Sequence, residues 1–368
     1  MKLLARYISR LFLLRFGLLL IGGVALILSF DLLERGDNLI AAVGGDTAVF
    51  VRYAVLRFPD IALQLMPIAA LLGAILTLGD LLRHRELLVI WSTGVSPFGL
   101  IRGLLPAGLL IVAGHFAISN WAVPASAVVL RAWNVGPYKD SGLGYQPSFW
   151  VRSDTDLVRV PTASALSGNL ENLTIFRRDA DGMLIERLDA HEARQSQEGL
   201  LLIGVTRRSV EPLDTSTHAR LRWEGRLETD KFSLLSRGPR ELRITEIRNL
   251  IVNEAYGQRP TELYRTWLHY RMASALGPVL MILLAISLLQ GIRRARTFGW
   301  LLVFGVSFGF GFFVFDNIAL AIGEVGFLPP WMAAWAPTVI LLCLVGSFLL
   351  RPESRVRFEA PMPTPDSR

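Results

Sequence analysis

The sequence predicts an α-helical membrane protein with six transmembrane helices, three on each side of an inserted all-β, jelly-roll-like domain. Three observations carry this. Hydrophobic residues make up 52% of the chain and the mean hydropathy is +0.43, too apolar for an ordinary soluble protein. Six apolar runs each approach or exceed the roughly 20 residues that a helix needs to cross a bilayer. Between the third and fourth runs lies a long polar segment whose residues alternate with the period of strands.

The first run extends from about Leu11 to Phe30 and is interrupted only by Arg15, whose long side chain can snorkel to the headgroups. Lys2, Arg6 and Arg10 precede it as they would a signal peptide. The run is too long for that and no small-residue cleavage site follows promptly, so an uncleaved helix is expected. The second run is Ile61 to Gly79, bracketed by Asp60 and Asp80. The third is Gly103 to Leu130, with His115 and Asn120 as its strongly polar side chains. The fourth is Met272 to Ile292, the fifth Thr297 to Phe315, and the sixth about Trp331 to Leu350, reached through Pro329-Pro330. Prolines inside spans, such as Pro67, are tolerated in membranes.

Short loops set the orientation. Lys2, Arg6, Arg10, Arg15, Arg83, Arg85, Arg102, Arg293, Arg294 and Arg296 fall on one side, together with Arg351, Arg355 and Arg357. Arg35, Arg52 and Arg57 oppose them. The bias predicts cytoplasmic termini and an extracytoplasmic inserted domain. The domains expected are therefore 1–131 for the first three spans, with a cytoplasmic loop at 80–102, then 132–265 for the β domain and 266–350 for the last three spans. The tail, 351–368, carries Pro352, Pro361, Pro363 and Pro365 and is expected to be disordered.

Strand patterns in the inserted domain include Phe149 to Val151, Leu157 to Val160, Leu173 to Arg177, Leu184 to Leu188 and Leu200 to Val205. Leu221 and Trp223 alternate with Arg220, Arg222 and Glu224. Turn signals separate them at Ser167-Gly168-Asn169, Asp181-Gly182 and Glu198-Gly199. Several short strands at this spacing predict a sandwich or jelly roll.

The net charge of +7 and an isoelectric point near 10 do not point to nucleic acid, because the basic residues sit at the ends of apolar runs. Only Lys2, Lys139 and Lys231 are lysines, and none follows glycine as a phosphate-binding loop requires. Any ATP is thus expected to be hydrolysed by a partner, and the chain itself is not expected to be an enzyme. There is no H-E-x-x-H pattern among the five histidines, and the single cysteine, Cys343, lies in an apolar run, so no metal site is expected. Gly305-Val306-Ser307-Phe308-Gly309 matches a serine-hydrolase elbow, but that elbow joins a strand to a helix and this one sits inside a span. Gly305 with Gly309, and Ser307 with Gly311, instead have the spacing that lets helices approach closely. Asp316, at the expected outer end of span five, is open between an intramembrane carboxylate and a solvated helix end.

Three spans, an exported β domain and three further spans resemble the LptF/LptG permease family, most closely its LptG branch. The likeness is local at Met66-Pro67-Ile68-Ala69-Ala70-Leu71-Leu72-Gly73-Ala74, at Arg85-Glu86-Leu87 through Gly94, and at Ser307-Phe308-Gly309-Phe310 through Asp316 with Pro329-Pro330. The layout likeness covers nearly the whole chain and is weak in sequence within the β domain. It implies a lipopolysaccharide exporter in the bacterial inner membrane. There the chain pairs with a sister permease, LptF, and a dimer of the ATPase LptB uses ATP and Mg. The single-span protein LptC and the periplasmic bridge protein LptA complete the path. The LptF branch, an unrelated membrane scaffold and a secondary transporter stay open as alternatives, although a secondary transporter would show broken helices or a repeat.

Two groups of site residues follow. Arg35 and Arg131, at the outer ends of spans one and three, flank the expected cavity mouth and could grip lipid phosphates bidentately. Each could equally be an ordinary interfacial arginine, and Leu28 and Glu34 stand where the family has basic residues. From Arg83 to Gly94 the loop is helical in pattern, with Leu87, Ile90 and Trp91 on one apolar face and Gly94 and Pro97 to stop it. By resemblance it is the coupling helix that docks on the ATPase through Arg85, Glu86, Leu87, Ile90 and Trp91, with Glu86 as the carboxylate that meets the ATPase groove.

Overall fold

The six apolar runs fold as helices, and the first five of these reach past the apolar residues at one end or both, while the sixth nearly coincides with its run. In the computed structural model, which describes residues 2–43, 46–86, 97–133, 148–153, 155–161, 170–179, 181–196, 199–225, 234, 237–253, 259–290 and 298–349, α1 runs Lys2–Val43 and α2 Thr47–Arg83. The third span is α3, Pro97–Ala117, continued by a π-helical turn at Ile118–Ala122 into α4, Val123–Trp133. After the sheet come a 3-10 turn, Pro239–Glu241, and the short helix α5, Ile244–Val252. The last three spans are α6, Thr261–Gln290, α7, Phe298–Val325, and α8, Pro330–Leu349. All six long elements are long and apolar enough to cross a membrane. The chain is a multi-pass membrane protein with the expected three-plus-three layout.

Helix α1 has 42 residues. At about 1.5 Å per residue it is about 63 Å long, twice the hydrocarbon thickness, so its polar second half must project from the bilayer. The first half of α2 projects with it. Asp46 starts α2 by accepting from the Ala48 amide at 3.3 Å. At the far end His84 caps the helix and Arg85 turns left-handed at φ 62. Helices α2 and α6 form the centre of the bundle, with 61% and 67% of their most apolar stretches buried, against 22% for α1 and 17% for α7. The core joins Phe12 and Phe16 of α1, Leu71, Ile75 and Leu78 of α2, and Met281 and Leu284 of α6.

The strands are β1, Ser148–Ser153, β2, Asp156–Pro161, β3, Leu170–Arg178, β4, Leu184–Ser196, β5, Gly199–Ser209, and β6, Asp214–Trp223. Every one of the six alternating runs is a strand, and all pair antiparallel in sequential order. Turn chemistry holds where it is described: Gly182 adopts φ 84 between β3 and β4. Gly199, at φ 130, opens β5 where a Cβ would lie 2.4 Å from the Trp223 carbonyl, so no other residue fits. Strands β2 and β6 would lie about 19 Å apart in a flat sheet. The indole of Trp223 nevertheless donates to Asp156 Oδ2 at 2.8 Å. The sheet therefore curls strongly, towards the half-closed form of a roll. Its apolar face holds Val158, Ile175, Leu188, Leu202 and Trp223, and the same core continues through Ile247 and Leu250 of α5 to Tyr264 at the start of α6. The sheet is thus mounted directly on the fourth span.

Candidate functional site

Where the sheet meets the bundle, charged side chains are buried and paired. Asp31, on the projecting part of α1, is 8% exposed. It accepts from the Tyr53 hydroxyl at 2.6 Å and sits 3.1 Å from Arg35 Nε and 3.4 Å from Arg57 Nε. Arg57 also bonds Asp60, one turn on, which is 5% exposed. Asp60 in turn meets Arg240 at 2.7 Å. A chain of alternating charge thus runs from α1 through α2 to the 3-10 turn that leaves the sheet. Each buried carboxylate is satisfied by at least two donors, the condition under which burying charge is tolerable.

The turn itself is gripped from three spans. Arg240 is held by Asp60 of α2. Glu241 takes both Nε and Nη2 of Arg131, in α4, at 2.6 and 3.2 Å. Arg271 of α6, 3% exposed, donates to the carbonyls of Pro239 and Arg240 at 3.3 and 2.8 Å. Just beyond the turn, the Ile244 amide donates to Asn120 Oδ1 at 3.0 Å. Asn120 lies in the π-helical turn, which follows from Pro124: its ring nitrogen cannot bond the carbonyl four residues back, and Val123 N–H bonds Ile118 instead. Residues 239–244 are therefore clamped by every one of the second, third and fourth spans. Any movement of these helices against one another must pull on the sheet.

The sequence reading placed Arg35 and Arg131 at the outer ends of their spans, and both lie in this region. Arg35 faces Asp31, and Arg131 is engaged bidentately by Glu241. Sequence reasoning missed Asp31, Arg240, Glu241 and Arg271. Asp60 was visible only as the bracket of a span, and Asn120 only as a polar residue within one.

At the opposite end, Arg15 bonds Asp80 and the Leu76 carbonyl. Glu86 is exposed and accepts a long bond, 3.4 Å, from Tyr7. Arg85 is exposed beside it. Leu87, Ile90 and Trp91 lie outside the described residues, as does the tail from Arg351.

Of the small residues in α7, Gly305 and Gly309 are buried against α2. A Cβ on Gly305 would stand 2.3 Å from Ile75 Cδ1, and one on Gly309 3.1 Å from Leu71. Ser307 and Gly311 point the other way and are exposed, and a Cβ on Gly311 would meet nothing within 4 Å. Asp316 is not at a helix end, because α7 continues to Val325; it accepts from Tyr270 of α6 at 2.8 Å. A second α6–α7 bond, Trp267 Nε1 to Glu324 at 2.6 Å, lies further along. Among the described residues no group of His, Cys, Asp or Glu could hold a metal.

These features define a multi-pass membrane protein whose inserted sheet is locked to its second, third and fourth spans. The family model of the lipopolysaccharide export system permeases LptF/LptG matches residues 6–351, nearly the whole chain, and the chain belongs to that family. It is 24% identical over 306 residues to the lipopolysaccharide export system permease protein LptG of Haemophilus influenzae, covering 82% of this chain and 85% of that one. It is 24% identical over 309 residues to the protein of the same name from Escherichia coli strain K12, covering 81% and 84%.

Proposed function

We propose that this chain is the LptG-type permease subunit of an ATP-driven lipopolysaccharide exporter of the bacterial inner membrane. The observation that carries this reading is the family match, which takes in both halves of the bundle and the sheet domain as one unit. The LptG name of the relatives favours that branch over LptF. In this reading both termini are cytoplasmic and the sheet is periplasmic, where it hands lipopolysaccharide to a bridge such as LptA. A sister permease LptF completes the path, LptC contributes its single span, and an LptB dimer hydrolyses ATP with Mg. The lack of any glycine-lysine phosphate loop in the sequence supports leaving hydrolysis to that partner.

The clamp gives the bundle a mechanical hold on the sheet. Force entering through Arg85, Glu86, Leu87, Ile90 and Trp91 would pass along α2, whose Asp60 holds the turn at 239–241. Arg35 and Arg131 are proposed contacts for lipid phosphates. To take a phosphate, Arg131 must release Glu241, so substrate arrival and loosening of the clamp would be one event.

The test is purification of the native complex from cells, with its proteins and bound lipid identified. An ATPase and lipopolysaccharide should co-purify in stoichiometric amounts; their absence would refute the assignment. Orientation is checked in a Cys343→Ser background. A membrane-impermeant maleimide should label Asp181→Cys in intact cells and spare Arg294→Cys, and the reverse pattern would invert the topology.

A further inference from the structure

The sheet has a second face. Val158, Ile175 and Leu188 point into the core shared with α5 and α6, and the residues that alternate with them point outward. Strand register joins the outward residues into rows that cross all six strands. One row starts at Trp150 and passes through Arg159, Thr174 and Asp189 to Thr206 and Thr217. The next starts at Arg152 and passes through Leu157, Phe176 and Arg187 to Arg208 and Thr215. Two positions on from Arg187 and Arg208, Ile185 and Val210 extend the same face, joined by a bond from the Val210 amide to the Ile185 carbonyl at 2.9 Å.

An outward sheet face that meets only water is polar. This one carries apolar residues in the open. Trp150, Ile185 and Val210 are exposed, and Leu213, in the turn beyond Val210, is 95% exposed. Trp150 stacks on Phe176 with ring centroids 5.6 Å apart, and the Arg187 guanidinium lies over Phe176 at 5.7 Å. The stack holds both rings in place, so little side-chain freedom is lost when a partner covers them.

Charge on these rows is unbalanced. Arg152, Arg159, Arg187 and Arg208 stand against a single carboxylate, Asp189. Asp189 accepts from Arg187 Nη2 at 2.8 Å and from Arg208 Nη1 at 2.7 Å, so two of the four share it. Arg159 donates to the Ser148 hydroxyl at 3.1 Å, which brings no charge. Glu186 is spent on the inward face, on Arg177 and Arg207. The acidic residues of the turns, Asp179, Asp181, Glu211 and Asp214, stand at the tip, so the rows are basic and only the tip end is acidic. Exposed apolar residues rimmed by polar ones mark protein-binding surfaces, and tryptophan and arginine dominate the energetics of such contacts. The sign of the charge selects the partner: the surface that meets these rows is acidic.

We propose that this outward face docks an acidic surface of a partner protein, seated over Trp150 and Phe176 with its carboxylates on Arg159, Arg187 and Arg208. The contact uses the face of the sheet and leaves both edge strands, β1 and β6, free. It rests on the transport reading only in taking the partner to be extracytoplasmic, and the labelling of Asp181→Cys checks that point separately.

The test places the photoreactive residue p-benzoylphenylalanine in the full-length chain, at Ile185 and separately at Val210, and irradiates intact cells. Both positions should give an adduct with the same protein, identified by mass spectrometry, whose cross-linked stretch is acidic. The same probe at Val252, exposed on α5 at the opposite face of the sheet, should not capture that protein. The identified protein is then purified and its binding to the full-length chain in nanodiscs is measured. Arg208→Glu and Thr217→Glu should each weaken that binding on the order of tenfold. Thr217 is exposed and stands outside the pairing of Arg187 and Arg208 with Asp189, so its variant reverses charge without breaking that pairing. Raising the salt from about 0.1 M to about 0.5 M should also weaken binding. No adduct at either position, adducts with lipid alone or with a second copy of this chain, or binding indifferent to both charge changes would overturn the proposal.

Discussion

The two ends of the helical bundle handle charge in opposite ways. At the end that carries the sheet, Asp31 and Asp60 are 8% and 5% exposed, and each is shared among several donors from different elements. At the other end, Asp80 serves Arg15 with its side chain 40% exposed, and Glu86 has only a long bond from Tyr7. A buried, shared carboxylate cannot be removed without stranding its partners, whereas an exposed pair exchanges easily for water. The sheet-bearing end is therefore built to hold its geometry, and the opposite end has charges to spare for contacts outside the chain. Removing carboxylates one by one from both ends measures that difference.

The largest loss is expected for Asp31→Ala. It strands the buried Tyr53 hydroxyl together with Arg35 and Arg57, and breaking a buried pair from one side costs about 3–5 kcal/mol. Unfolding in mixed micelles should show it, and a loss below that of Asp80→Ala would erase the contrast between the ends. Next comes Glu241→Ala, which gives up a bidentate bond at a half-buried site. We expect about 1.5–3 kcal/mol. The turn it frees should become the new cleavage site for trypsin around Arg237, Arg240 and Arg243. In a double-mutant cycle with Arg131→Ala most of that loss should disappear, since each variant removes the same bond. Additive losses would mean that the two residues are not coupled.

How much of this was legible in the sequence depends on the range of the interaction. The six spans and six strands are local patterns of hydropathy and alternation, and all twelve are present. Helix ends were not legible, because the polar flanks of α1 and α2 carry no apolar run; only in the fold do Asp31, Tyr53 and Arg57 turn out to face one another. The clamp was invisible for the same reason. Arg131 and Glu241 are 110 residues apart and Arg240 and Asp60 are 180 apart, and singly each looks like an interfacial charge. The small-residue stripe of α7 shows a subtler limit. Two registers, Gly305 with Gly309 and Ser307 with Gly311, are offset by two residues, about 200° around a helix. Their spacing is identical, and only packing shows that the first meets α2 while the second faces outward.

At the opposite end the expected changes are small. Asp80→Ala removes a part-exposed pair, and Arg15 keeps its bond to the Leu76 carbonyl, so the loss should stay within about 1 kcal/mol. A loss as large as that of Asp31→Ala would show that this end is also a fixed joint.

Glu86→Lys is expected to have the smallest effect on stability and is the most informative about function. Glu86 is exposed, lies just past the left-handed Arg85 that ends α2, and its one bond is 3.4 Å long. Surface substitutions of this kind stay within about 0.5 kcal/mol, so the variant should unfold with wild-type behaviour. If this end docks on an ATPase, the reversal places like charge against a basic partner, which can cost several kcal/mol in association. Expressed at native level, the variant should then insert and fold but fail to retain the ATPase, or hydrolyse ATP without exporting lipopolysaccharide. Wild-type stability with undiminished export would make Glu86 a solvated helix-end carboxylate and move the docking surface elsewhere on this end of the bundle. Lost stability would instead mean that the Tyr7 contact holds α1 to α2, and the contrast between the two ends would have to be redrawn.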